Sequence, residues 1–565
     1  MSENISSLKQ VIWGALRLRE VVFFSVFINL LMLTPTFFML EVYGRVVTSR
    51  NEKTLLMLLI LVLGLYLILE LLEWVRLKVM HVSSLDFDQK IRDIVFLGVF
   101  SGRKINLDFP LQKSFDDLRV LREAFYSPGF ISLVDAPLAI LTLIFLFTIH
   151  PRIGWFALIG ISIQLLITYF NQKSVKEPIE KAAESSSKSQ SYAGNVSKNA
   201  EVIKSMDMIG GIASRWEGYQ QSFLNQQAKA SYVGGNFSAI SKMTQGLMGS
   251  LILGLGCLLA IEGVLDSAGG MMIAASILMG RAMQPLVQII TQWRSLYSAV
   301  QAYERLSLLV KSKILQAEPM DLPAPTGNLI VENVTVAIPK IQAPILMGIN
   351  FELNRGEILA VMGPSASGKT TLSKVIVGSW PLTSGKVRYD GADISHWEKE
   401  KLGPYIGYLP QSIELFDGSL AENIARFGEL DQQKIIEASK WVGLDENISK
   451  LPDGYETQVG IDGTFLSGGM RQRIGLARAI YGLPRVIVLD EPNSSLDLDG
   501  EAAFLKTLQY LKQSQCTVVL VTHRSNVMQY VDKIMILVEG RIKVIGPRDE
   551  VISSLNAAAK AAKAS

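Results

Sequence analysis

Residues 358–376 read ILAVMGPSASGKTTLSKVI. Five apolar residues, enough for one buried strand, run into a glycine-punctuated loop, and the loop opens a stretch with helical spacing. Glycine permits backbone angles closed to other residues, so successive N–H groups can turn inward and surround phosphate oxygens. The cradle comprises Gly363, Pro364, Ser365, Ala366, Ser367, Gly368, Lys369, Thr370 and Thr371. The helix that begins there adds positive potential at its N-terminus. In this pattern Lys369 reaches the β- and γ-phosphates and the Thr370 hydroxyl faces Mg²⁺. The strand–loop–helix setting separates the motif from a chance match, because the chemistry needs that setting.

Downstream, residues 486–492 read VIVLDEP. Four apolar residues form a buried strand that delivers two carboxylates to its end. Asp490 is placed to hold Mg²⁺ through water, and Glu491 to polarise an attacking water. Alone, this stretch would read as a strand and an acidic turn; the phosphate cradle gives it a function. Strands and helices alternate from about residue 329, the pattern of an α/β layered domain. Before it, EPMDLPAPTGN with Pro319, Pro323 and Pro325 reads as a linker.

The N-terminal half has a different composition. The chain has 565 residues, 49% hydrophobic and only 19% charged, with a mean hydropathy of +0.28. The excess lies in six apolar stretches, near Val21–Leu40, Leu55–Leu72, Ile131–Ile149, Ile153–Phe170, Gly246–Ile261 and Met271–Ile290. Each approaches the roughly 20 residues that cross a bilayer. Lys9, Arg17 and Arg19 precede the first, which is too long for a cleaved signal and is expected to remain as a span. Trp74–Phe130 and Asn171–Lys242 carry nine Lys or Arg each, whereas Glu262–Gly270 carries Glu262 and Asp266 with no base. Positive loops stay inside, so both termini and both long loops are expected in the cytoplasm. Arg45, Arg50 and Lys53, between the first two spans, run against that rule. The long loops read as helical extensions of the spans, with short elbows. Glu41, Glu70, Glu73, Asp135 and Arg281, the last with Gln284 and Pro285, lie in or beside the spans. Glu73 and Glu41 fit snorkelling at a helix end, while Asp135 and Arg281 are candidates to line a pathway. The net charge of +3 gives no reason to expect nucleic acid. Two distant cysteines, Cys257 and Cys516, exclude a disulfide framework and a zinc site.

Between the two phosphate-handling motifs lies LSGGMRQR, residues 466–473. It resembles the signature of ABC ATPases, and the other family marks follow in order: Gln411 in YLPQ, Ser494–Asp497 as SSLD, and His523 in VTHR. The resemblance covers the C-terminal third. It implies a head-to-tail dimer in which ATP on the cradle of one copy is capped by Ser467, Gly468 and Gly469 of the other. It further implies that Gln411 senses the γ-phosphate and joins Thr370 and Asp490 around Mg²⁺, that Asp497 borders the nucleotide, and that His523 acts as the switch. Glu491, His523, Lys369 and Gln411 are then the catalytic set, and ATP with Mg²⁺ the cofactors. One cradle and one signature per chain imply a homodimer with two equivalent sites. Two positions depart from the family: Met470 stands where Gln is usual, and Ile338 where an aromatic stacks on adenine. The second lowers stacking energy and loosens base selectivity, GTP included.

Spans fused ahead of the ATPase resemble the exporter arrangement, and residues 457–463, TQVGIDG, are similar to its cross-talk loop. Three stretches, MLEVYGRVVTSRN (39–51), VDAPLA (134–139) and SILMGRAMQPLVQIITQW (276–293), resemble type I protein secretion transporters that export metalloproteases and lipases with glycine-rich calcium repeats. The resemblance implies an all-α six-helix transmembrane domain (1–310), a linker (311–328), an α/β P-loop ATPase domain (329–556) and a tail (557–565). It implies a multi-pass protein of the bacterial inner membrane with a cytoplasmic ATPase, surrounded by membrane lipid. Its partners would be a periplasmic adaptor, an outer-membrane duct and a secreted protein with an uncleaved C-terminal signal. The first span begins near Val21, leaving no room for a leader-cleaving peptidase domain. A lipid or drug exporter of the same architecture is the alternative; it would need an apolar cavity where a protein exporter needs a polar passage.

Overall fold

The computed structural model describes residues 8–102, 111–264, 268–314, 322–337, 344–397, 399–460, 463 and 465–555. Asp266, Pro319, Ile338, the Ile461–Asp462 part of the expected cross-talk loop and the tail at 557–565 lie outside them. The chain divides into two compact units, with the main division after Ile314.

The first unit is helical throughout: α1 (Leu8–Ala15), α2 (Leu18–Leu31), α3 (Thr34–Glu41), α4 (Glu52–Gly102), α5 (Leu111–Ala124), α6 (Pro128–Asp135), α7 (Ala139–Ile149), α8 (Pro151–Lys198), α9 (Ala200–Ser205), α10 (Ile209–Ile261), α11 (Ala268–Thr291) and α12 (Trp293–Ile314). Among the described residues, six helical segments are long and apolar enough to cross a membrane: Leu18–Ser49, Glu52–Val99, Pro128–Ile149, Pro151–Ser197, Ile209–Ile261 and Gly269–Thr291. Each contains one of the six apolar stretches. Three of them far outrun a bilayer, since 47 or more residues at 1.5 Å per residue give roughly 70 Å or more. The extensions are where the sequence turns from apolar to alternating, and the short α9 sits between two of them.

Two of the described spans are broken, and another carries an internal proline without a break. The first breaks at Met32–Leu33, between α2 and α3, with Pro35 at the start of the new helix. The third breaks at Ala136–Leu138, a single 3₁₀ turn around Pro137. The sixth carries Pro285 inside α11. Proline removes a backbone donor and crowds the preceding carbonyl, which explains the break at Pro137. The connection between spans one and two is short: Arg45 pairs with Glu41 one turn away at 3.2 Å, and Asn51 caps the next helix through the N–H of Lys53.

Within this unit Leu33, Leu146, Ile153, Ile252, Leu278 and Met279 form an apolar core among the spans. A second core, around Phe87, Ile91, Leu121, Phe125, Leu306 and Leu309, ties α1, α4, α5 and α12 together beyond the apolar windows. There Arg305 grips Asp117 with two bonds of 2.7 and 2.6 Å. The second span is the opposite case, with only 6% of its apolar window buried in the unit. Such a surface suits lipid or a second copy rather than water.

The second unit holds two sheets. One is antiparallel, in the order β2 (Pro344–Leu353), β1 (Leu329–Ala337), β4 (Ser384–Tyr389), β5 (Ala392–Asp393). The other runs β10 (Arg541–Pro547), β9 (Lys533–Val538), β3 (Ile358–Met362), β8 (Thr517–Val521), β7 (Val486–Asp490), β6 (Ile406–Leu409), all parallel except β10. Every residue of β7 and β8 is buried, as parallel strands covered on both faces require. Helices α13 (Lys369–Ile376), α14 (Gly468–Ile480) and α15 (Leu498–Gln513) accompany this sheet. Gly407 in β6 allows close approach: a Cβ there would stand 2.1 Å from the Ala479 carbonyl oxygen of α14.

Candidate nucleotide site

The functional residues of the second unit cluster because the sheet is parallel. β3, β6, β7 and β8 all end on the same side, where ligands of open α/β sheets bind. β3 ends in the phosphate cradle, β6 two residues before Gln411, β7 in Asp490 and Glu491, and β8 two residues before His523.

The cradle has the backbone its sequence requires. Gly363, Ala366 and Gly368 have φ of 153°, 63° and 101°. A Cβ on Gly363 would lie 2.0 Å from the Leu537 carbonyl oxygen, so no other residue fits. The Lys369 ammonium donates to the carbonyl oxygens of Gly363 and Pro364, both at 2.8 Å, and so spans the loop it would fill with phosphate. The Ser367 hydroxyl is buried with no hydrogen-bond partner.

Asp490 is fully buried, and neither carboxylate oxygen accepts a hydrogen bond of normal geometry. Burial pushes its pKa up; the nearby Thr370 hydroxyl opposes the shift, Glu491 adds to it, and Lys374 and Lys369 act against it. A buried carboxylate with all its acceptor sites open, next to a threonine hydroxyl, is a donor set for a hard divalent cation, so the residues fit Mg²⁺.

Glu491 sits in the left-handed region, with φ of 52°. A non-glycine residue there is strained by about 1–3 kcal/mol and persists only when its surroundings hold it. They do: its N–H donates to the Val521 carbonyl at 3.0 Å, and the Gln472 amide donates to the carbonyls of Glu491 (3.3 Å) and Pro492 (2.8 Å). The carboxylate is thereby turned toward two partners. Gln411 Nε2 donates to Oε2 at 3.1 Å, and His523 Nε2 stands 3.7 Å from Oε1. A carboxylate held between an amide and an imidazole at the edge of a phosphate cradle can orient and polarise water.

The signature forms a separate cluster. Ser467 caps α14, its hydroxyl accepting from the Met470 N–H at 3.3 Å. Met470 packs, partly buried, against the core beneath. Arg473 in α14 donates to the Gly443 carbonyl at 2.9 Å and pairs with Asp497, whose carboxylate also accepts the Gly500 N–H at 2.9 Å and caps α15. The Gly500 N–H and the Arg473 guanidinium hold the Asp497 carboxyl below its ordinary range. This tie between signature and Asp497 carries no motif of its own; only the order of Arg473 and Asp497 hints at it. Among the described residues no hydrogen bond or ion pair joins Ser467–Gly469 to residues 363–371. Phe465 and Leu498, which flank the cluster, are 84% and 85% exposed.

The sequence model of the ABC transporter family matches residues 346–494. A solved bacterial Atm1-family ABC exporter with ATP bound superposes with a TM-score of 0.83 at 19% identity, covering 100% of this chain and 99% of that one. Fold and site together define a membrane-embedded ABC exporter subunit with ATPase activity coupled to transport. Over 538 residues the chain is 35% identical to the type I secretion system ATP-binding protein PrsD of Rhizobium meliloti (strain 1021), covering 94% of this chain and 91% of the relative. It is 25% identical to the leukotoxin translocation ATP-binding protein LktB of Mannheimia haemolytica, covering 95% of this chain and 76% of that protein. The chain belongs to the family of ATP-binding exporters of type I secretion systems.

Proposed function

We propose that two copies of this chain export unfolded polypeptides with an uncleaved C-terminal signal, proteases and lipases with calcium-binding repeats, from the bacterial cytoplasm. They do so in the inner membrane, with the ATPase units cytoplasmic and with a periplasmic adaptor and outer-membrane duct beyond. The observation that carries the cargo class is a cavity of about 1480 Å³ among the helical extensions, between α5, α8, α10 and α12. Ser187, Gln190, Tyr192, Asn195 and Gln301 are among its lining residues, as is the paired Asp117–Arg305. Hydroxyls and amides can bond any peptide backbone, whereas a lipid or drug pocket is predominantly apolar.

The dimer reading is supported by Phe465 and Leu498, two large apolar side chains left in water on either side of the signature cluster. ATP lies on the cradle of one copy, and Ser467, Gly468 and Gly469 of the second copy cap its γ-phosphate. The Lys369 ammonium turns from the loop carbonyls to the β- and γ-phosphates. Glu491, positioned by Gln411, orients the attacking water, and His523 donates to the transferred phosphoryl group. Asp490, Thr370 and Gln411 would hold Mg²⁺, whose charge would be supplied to the phosphates. Phosphate-driven closure and reopening of the two ATPase units move the spans.

Lys369→Ala is expected to lose nucleotide binding itself. In the wild type, MgATP at about 100 times its dissociation constant stabilises the fold by about 2.7 kcal/mol. The variant should show no ATP-dependent rise in Tm, read by scanning fluorimetry; an undiminished rise would move the phosphate contact elsewhere. Cargo class is tested in vesicles holding the chain and its adaptor. Stimulation of ATP hydrolysis by a C-terminal cargo peptide supports the reading; stimulation by lipids with none by the peptide replaces it with lipid export.

A further inference from the structure

Among the described residues the spans contain a cation with no ion-pair partner. Arg281 lies in α11, 13 residues from its start, roughly 20 Å along the axis at 1.5 Å per residue, and therefore deep in the hydrocarbon. Its one described side-chain hydrogen-bond partner is the Met32 sulfur at 3.9 Å. No described carboxylate pairs with it. Asp135, which span one also touches through Asn29, is committed to Arg76. Glu70, the other intramembrane charge without a described partner, is exposed on α4, and no hydrogen bond or ion pair is described between it and Arg281. An arginine at such depth is costly and persists where it faces a cavity or meets an anion.

The surroundings indicate which anion. α11 turns Leu278, Met279, Ala282, Met283 and Leu286 into its own subunit, and leaves Gln284 exposed and Arg281 and Gln288 half-buried on the other face. Pro285 has no N–H, so the Arg281 carbonyl loses its helical donor, while the neighbouring Gly280 carbonyl accepts Gln245 Nε2 at 2.9 Å. One stretch of span six therefore offers a guanidinium and a carboxamide three residues apart, one turn of the helix. A lipid phosphate lies at the membrane surface and needs no carboxamide. An extended polypeptide carries carboxylates, N–H groups and carbonyls and can use both the guanidinium and the carboxamide.

Resting on the export reading above, we propose that Arg281, with Gln284, is a cargo-binding station in the membrane that recognises aspartate and glutamate side chains of the passing polypeptide. The guanidinium meets each carboxylate with two parallel hydrogen bonds, and the register advances as the next acidic residue arrives.

The test uses the full chain with its adaptor in phosphatidylcholine vesicles and two long unfolded peptides ending in the same C-terminal signal, one carrying aspartates and one with asparagine at every such position. The readout is the ratio of the concentrations that half-stimulate ATP hydrolysis, so a general loss of activity cancels. The wild type is expected to prefer the aspartate peptide about tenfold, the worth of one charge-assisted bond. Arg281→Gln should bring the ratio to one, and Glu70→Gln should leave it at the wild-type value. If Arg281→Gln does not fold, Arg281→Lys carries the test: its ammonium cannot bind two oxygens in parallel, and an undiminished ratio overturns the proposal. Equal response of the wild type to both peptides overturns it and leaves export standing. So does a preference abolished by phosphatidylglycerol in the vesicle, which assigns Arg281 to lipid phosphate. Failure of both peptides to stimulate at all removes the export reading, and this station with it.

Discussion

Glu491→Gln is expected to lower ATP turnover by about 10²–10⁴-fold, the range a positioned acid or base contributes, while ATP still binds and the two copies stay closed on it. The substitution keeps the shape and the left-handed backbone, because neither the N–H bond to Val521 nor the Gln472 contacts involve the side chain. It removes the negative charge on which Gln411 and His523 converge. Binding depends on the cradle and Lys369, which the change does not touch. Turnover of ³²P-ATP gives the first quantity, and size-exclusion chromatography of the detergent-solubilised protein with MgATP gives the second. Normal turnover would show that another group orients the water, with His523 the next to replace.

The sequence yields this site because its pieces are local. A strand of apolar residues, a glycine-rich turn and a helix start within 19 residues of one another, and each piece fails chemically without the others. The cofacial position of Gln411, Asp490, Glu491 and His523 follows once the four strands are parallel, and the buried runs VIVLD and TVVLV announce parallel strands. The spans are legible for a different reason: hydrocarbon thickness sets a minimum length that few other elements reach. What the sequence conceals is pairing across distance. Arg76 reads as one of nine positive charges in a loop after the second span. Instead it is 4% exposed, inside the continuous helix α4. Its partner Asp135 is 59 residues away and was legible only as an intramembrane charge. Periodicity reports which face of a helix is apolar, not which neighbour a polar residue on that face will meet. The Arg473–Asp497 tie is hidden in the same way, between two helices whose motifs describe nucleotide contacts rather than each other.

Arg76→Met should be the most destabilising single change in the membrane unit, and Arg76→Met with Asp135→Leu should recover most of the loss. The Arg76 guanidinium donates to both Asp135 oxygens at 3.2 Å and to the Ser25 hydroxyl at 3.1 Å, and Asn29 donates to Asp135 at 3.3 Å. Glu73, one turn away on α4, stands 3.8 Å from the same guanidinium. Five side chains from α2, α4 and α6 thus meet where span three breaks into its 3₁₀ turn. Removing one partner of a buried pair costs about 3–5 kcal/mol, because the remaining charge is left without compensation, whereas replacing both by apolar groups of similar size is near neutral. The single variant is therefore expected to fall in unfolding midpoint far more than the double variant, measured by denaturation in detergent. Glu73 sharpens the comparison, since it also loses its cation in both variants; adding Glu73→Gln to the double variant should complete the recovery. Equal loss in single and double variants would mean that the cluster holds span three by shape rather than by charge. A stable double variant that hydrolyses ATP but no longer responds to cargo peptide would mean that the ion pair, while dispensable for folding, keeps the break in span three in the position that coupling requires.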